Sequence, residues 1–96
     1  MMENREYLNS LFDIYKELLT SIEQDTFKEY YVEDLSLQEI ADNRQISKSS
    51  VGKTLKSATE KLEEYESKLH ILEKNTKIKE ALIIKDYIAI EKIIDI

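Results

Sequence analysis

Residues 35–55 read Leu-Ser-Leu-Gln-Glu-Ile-Ala-Asp-Asn-Arg-Gln-Ile-Ser-Lys-Ser-Ser-Val-Gly-Lys-Thr-Leu, and the spacing of their apolar and hydroxyl residues is that of a helix-turn-helix. Ser36 with Glu39 has capping-box spacing, and Ser47 is placed to cap a second helix. Leu37, Ile40 and Ala41 face inward from the first helix, Val51 and Leu55 from the second. Ile46 is expected to plug the corner, and the small side chain of Ala41 lets the helices approach closely. This arrangement puts residues 48–56 where a recognition helix lies in a DNA major groove.

The rest of the chain agrees with a helical fold. Its 96 residues suit one small domain with a modest core. The absence of Pro and a single Gly leave little punctuation for hairpins, while Glu, Lys, Leu and Ile favour helix. The lack of Cys rules out a disulfide framework and thiolate chemistry, which suits the reducing cytoplasm taken as the expected location. The first residues are acidic and amphipathic rather than basic then apolar, so no signal peptide is read. No run approaches the roughly 20 apolar residues that span a bilayer.

Charge is unevenly divided. Residues 1–34 carry three cations against nine acids. Residues 35–59 carry Arg44, Lys48, Lys53 and Lys56 against Glu39 and Asp42, a net +2 within a chain of net −6. Residues 60–96 carry seven Lys against nine acids. The basic zone therefore coincides with the helix-turn-helix, as contact with phosphate requires. Its small excess predicts a few specific phosphate contacts rather than strong non-specific binding.

Before the motif, Leu8, Leu11, Phe12, Tyr15, Leu18, Leu19 and Ile22 recur at helical steps, predicting an amphipathic helix from near Asn4 with these residues buried. Thr20 to Glu23 has capping-box spacing and predicts a second helix, with Phe27, Tyr30 and Tyr31 inward and an end at Glu33-Asp34. After the motif, Val51, Leu55, Ala58, Leu62, Tyr65, Leu69 and Leu72 follow a 4-3-4-3-4-3 spacing. One helix from Lys48 to about Lys74 with a heptad seam is expected, broken at Asn75-Thr76. The spacing does not say whether the helix packed on that seam belongs to the same chain. Residues 1–74 are thus read as the helix-turn-helix domain with its continuing heptad helix. Residues 75–96 are read as an Ile-rich C-terminal helix apolar on nearly all sides, hence an oligomerisation segment of a homodimer. Isoleucine enrichment over Ile83 to Ile90 also permits strand, but Lys85-Asp86 and Glu91-Lys92 break the alternation.

No catalytic, cofactor or metal site is read. His70 is the one histidine, without a nucleophile or paired carboxylate at a defining spacing. The sole glycine, Gly52, cannot form a phosphate-cradling loop, and acidic pairs such as Glu63-Glu64 have the spacing of helix surface.

Tyr30-Tyr31-Val32-Glu33-Asp34-Leu35-Ser36-Leu37-Gln38-Glu39-Ile40-Ala41 resembles the opening of sigma-factor region 4, a helix-turn-helix that reads promoters. With Phe12-Asp13-Ile14-Tyr15, Leu18-Leu19-Thr20 and the stretch from Leu62 to Lys74, the closer resemblance is to the small YlxM-type proteins. These are often encoded beside signal recognition particle genes in low-GC Gram-positive bacteria and their wall-less relatives. The resemblance covers about residues 8–74. It implies an all-α, sigma-region-4-like helix-turn-helix bundle with a long recognition helix and a C-terminal helix. It also implies a regulator in the protein-targeting pathway, with Lys48, Ser49, Ser50, Lys53 and Lys56 on the exposed side of the recognition helix.

Three positions depart from the usual motif. Gln45 stands in the turn where Gly is common. Arg44 takes a normally apolar position and must snorkel or leave the core. Gly52 lies inside the recognition helix, at a cost of about 1 kcal/mol relative to Ala. Two functions follow from these readings: a nucleic-acid-binding regulator using those five residues, or an adaptor that binds a component of the signal recognition particle without binding DNA.

Overall fold

The computed structural model describes residues 2–83, which form five α-helices and no strand: α1 (Met2–Tyr15), α2 (Ser21–Phe27), α3 (Leu37–Arg44), α4 (Lys48–Leu69) and α5 (Ile71–Ile83). The all-α helix-turn-helix bundle expected from the sequence is the observed architecture. A 3-10 turn at Lys16–Leu18 follows α1, and a π turn at Lys28–Val32 extends α2.

Long α4 is the spine, with α1, α2 and α3 packed along it. Leu8, Leu11, Phe12, Tyr15, Leu19 and Phe27 meet Ala58 and Leu62 in the main core. The rings of Phe12 and Phe27 stack at 4.4 Å between centroids, which ties α1 to α2. Two residues of the predicted stripe are exposed instead. The chain leaves the α-helical path at Tyr15, so the 3-10 turn rotates Leu18 outward, and Ile22 opens α2 on its solvent side. The wider π turn carries Tyr30 and Tyr31 to half-buried positions, Tyr31 against Phe27 and the main core, Tyr30 against the packing of α3.

The seam along α4 is shorter than its spacing suggests. Val51, Leu55, Ala58 and Leu62 are buried and Tyr65 is half-buried, but Leu69 is exposed. The single helix to Lys74 is corrected to two helices. His70 takes the left-handed conformation at φ 55°, and its N–H bonds the Glu66 carbonyl to close α4. Asn75-Thr76, the expected break, lies inside unbroken α5.

The sharp corner is possible because α5 is capped from elsewhere in the fold. The buried Glu66 carboxylate accepts from Leu72 N at 3.0 Å and Glu73 N at 3.1 Å. Tyr15 Oη donates to Glu66 at 2.6 Å and accepts from Ile71 N at 3.2 Å. Burial and the Glu66 hydrogen bond push the Tyr15 phenol up to about 12. Thus three N–H groups that a helix start leaves unpaired are satisfied by α1 and α4. From there α5 runs back over α1, with Leu72 against the main core and Ala81 buried. Of the Ile-rich helix expected over residues 75–96, residues 75–83 are helical as part of α5, and the remainder of that expectation lies outside the described residues.

Candidate nucleic-acid interface

The helix-turn-helix is assembled as its caps demand. The Ser36 side chain accepts from Glu39 N at 3.0 Å, while the Glu39 carboxylate accepts from Ser36 N at 3.0 Å. Ser47 Oγ accepts from Ser50 N at 3.0 Å and opens α4. Between them, Gln45 stands at φ 58°, ψ 43°. Ile46 N bonds Ala41 O and Gln45 N bonds Asp42 O, the paired bonds of a Schellman turn. A glycine would take that conformation freely, so glutamine here carries a local cost.

Ile40, Ala41 and Val51 form a second buried cluster under Tyr30, Leu35 and Leu37. The near-zero exposure of Ala41 confirms the close approach of α3 and α4. Ile46, expected to plug the corner, is 41% exposed, because the Schellman turn carries it to the rim. Arg44 leaves the interface with α4 and reaches back to α2 instead. Its guanidinium donates to Thr26 Oγ1 at 2.6 Å and to Glu29 Oε1 at 2.8 Å. This forked contact uses the charge internally, so the cations the motif presents outward are Lys48, Lys53 and Lys56.

All five residues singled out from the sequence are exposed on α4. At 3.6 residues per turn, Ser49, Lys53 and Lys56 lie opposite the buried line of Val51, Leu55, Ala58 and Leu62. Lys48 lies on one flank. Ser50 lies on the other, together with Ser57 and Lys61, which α2 engages. The helix therefore brings Ser49, Lys53 and Lys56 together and sets Lys48 and Ser50 on opposite flanks of that face. The Lys56 ammonium has one loose partner, Glu60 at 3.8 Å, with both side chains largely in water.

What holds α4 at its angle to α2 is a long-range contact. Glu23 is buried, and its carboxylate accepts from Thr20 N at 2.8 Å, Ser57 Oγ at 2.7 Å and Lys61 Nζ at 3.0 Å. Burial opposes its ionisation, but the hydrogen bonds from Lys61, Thr20 and Ser57 outweigh that and hold its pKa down to about 2. Capping-box spacing marked Glu23 as a cap; that the same carboxylate would also meet Ser57 and Lys61, 34 and 38 residues on, has no local signal.

A groove of about 360 Å³ between α1 and α5, lined in part by Tyr7, Leu72, Thr76 and Lys77, lies at the far end of α4 from these lysines. Among the described residues there is no cluster of metal-ligating side chains, and no helix is long and apolar enough to cross a membrane.

Comparison with known proteins gives a consistent result. A family model described as "Putative helix-turn-helix protein, YlxM / p13 like" matches residues 2–94. A UPF0122 protein of Shouchella clausii is 42% identical over 74 residues, 77% of this chain and 68% of its own length. UPF0122 proteins of Listeria innocua and Oceanobacillus iheyensis are each 40% identical over 74 residues, covering 77% of this chain and 67% and 70% of their own.

Proposed function

The chain belongs to the YlxM/p13-like family of helix-turn-helix proteins, and on that premise we propose that it is a regulator that binds duplex DNA through the first turns of α4. The observation that carries this reading is that Ser49, Lys53 and Lys56 share the solvent side of that helix, with exposed Lys48 on its flank, in the one net-positive segment of an acidic chain. Ser49 and Lys53 are central enough to reach base edges, while Lys48 and Lys56 address phosphates. Ser50, on the α2 flank, serves as a peripheral contact. Only three outward lysines supply the attraction, so binding is modest and log affinity falls by about 2.7 per tenfold rise in salt.

Titration of the protein into duplex DNA at low and physiological salt tests the proposal. Salt-sensitive binding that disappears in the double variant Lys48→Glu, Lys53→Glu is the expected result. No affinity at low salt would refute it.

The resemblance adds a role beside the signal recognition particle, and it belongs to the same proposal. The exposed acids Glu6, Asp13 and Glu17 of the first helix and its following turn support contact with a basic partner. Titration with the purified particle separates this adaptor reading from the DNA reading: binding to the particle with no DNA affinity would favour the adaptor. A homodimer would let two α4 helices address two half-sites. Sedimentation should then show a dimer at micromolar concentration, and a stable monomer would exclude it.

A further inference from the structure

We infer that Gly52 is the point at which the sugar–phosphate backbone of a duplex lies against α4, between two lysines that hold neighbouring phosphates. The inference rests on the DNA reading above and names the contact it uses.

Glycine is scarce in this chain, and its single occurrence is in the wrong place for local structure. Among the described residues three have positive φ, Asp34, Gln45 and His70, and none of them is glycine. Gly52 instead occupies the interior of α4, where glycine is among the least favourable residues. Packing within the chain does not require it. A Cβ built at Gly52 meets nothing within 4 Å, so neither α3 nor any other described element needs the missing methyl. The bare patch opens outward.

Its neighbours give that patch a chemistry. Lys48 and Lys56 stand one turn before and one turn after Gly52, so the three line up along one edge of α4 over about 12 Å. Both lysines are exposed, and neither is committed to a buried partner. Acidic Glu60 and Glu63 follow within the next two turns and close the basic edge at Lys56. A polyanion laid along this edge meets an ammonium at each end and uncovered helix backbone between them. Removing a side chain at the midpoint lets the strand sit close enough for both lysines to engage at once. Such a contact is blind to base identity, so Gly52 governs affinity and register, whereas Ser49 and Lys53 face the bases.

The test compares wild type with Gly52→Ala on two unrelated duplexes of about 20 base pairs, two helical turns, between about 50 and 200 mM salt. Alanine should raise the melting temperature by about 4–8 °C while lowering affinity about tenfold on both duplexes. The slope of log affinity against log salt should flatten by about 1.8, the loss of two phosphate contacts. In a Lys48→Gln, Lys56→Gln background the slope should already be flat by that amount, and adding Gly52→Ala should flatten it no further. A stabilised Gly52→Ala protein with unchanged affinity and slope overturns the inference and leaves the DNA reading standing. A wild-type protein with no salt-dependent duplex binding removes both.

Discussion

Replacing Glu23 with Gln should weaken the fold in a way that depends on pH. The side chain is only 6% exposed, and its carboxylate joins the start of α2 to Ser57 and Lys61 of α4. Its pKa is depressed from 4.5 to about 2, which corresponds to about 3 kcal/mol favouring the ionised folded state. Lys61 is 38% exposed, so water screens part of its contribution, and about 2 kcal/mol is the better expectation. Because the folded pKa lies below the unfolded one, this stability is fully present above about pH 4.5 and is lost as pH falls towards 2. By pH 3 less than half of it should remain.

Glutamine keeps an acceptor for Thr20 N but loses the charge, so urea unfolding of the two proteins isolates the carboxylate. Taking the difference cancels the titration of every other acid. We expect wild type to be more stable by about 2 kcal/mol at pH 7, with the gap closing by more than half at pH 3. A gap that stays constant from pH 7 to pH 3, or one below about 0.5 kcal/mol at pH 7, would show that the ionised carboxylate does not hold these helices together.

Substitutions at three further positions test other contacts of the fold. Gln45→Gly should stabilise the protein by about 0.5–1 kcal/mol by relieving the left-handed residue between α3 and α4, seen as a higher melting temperature; a lower one would mean that the glutamine side chain contributes more than its backbone costs. Arg44→Met should cost about 1–2 kcal/mol, since Thr26 and Glu29 lose their donor, and Arg44→Lys should recover little because an ammonium cannot fork between them. Full recovery by lysine in chemical denaturation would reduce the contact to simple charge. Glu66→Ala should cost about 2 kcal/mol and speed hydrogen exchange at Leu72 and Glu73, whose amides it caps; unchanged exchange there would place the cap elsewhere.

What could be read from the chain beforehand was what is local. Capping boxes at Thr20 and Ser36 and the cap at Ser47 are encoded within three residues, and all three form. The buried lines of α1 and α4 follow from periodicity, as does the outward position of Lys48, Ser49, Lys53 and Lys56. The errors fall where a distant group decides the outcome. Periodicity carries the α4 seam through Leu69 to Leu72, because a turn made by a left-handed histidine leaves the apolar spacing intact. Nothing near residue 70 announces that Tyr15 and Glu66 will supply the caps of a new helix. Likewise Arg44 reads as an intruder in the core until the fold brings Thr26 and Glu29 within its reach.

The borrowed cap of α5 also has a consequence for the order in which the chain folds. The first amides of α5 find their partners on Glu66, and on Tyr15 56 residues earlier, so this helix gains its caps only after α1 and α4 have met. A short isolated helix is marginal in water, which makes α5 a late addition to an already formed bundle. Substitutions along α5 should therefore alter the unfolding rate and leave the folding rate nearly untouched. The corner at His70 thus divides a folding nucleus from the element that governs how long the folded state persists.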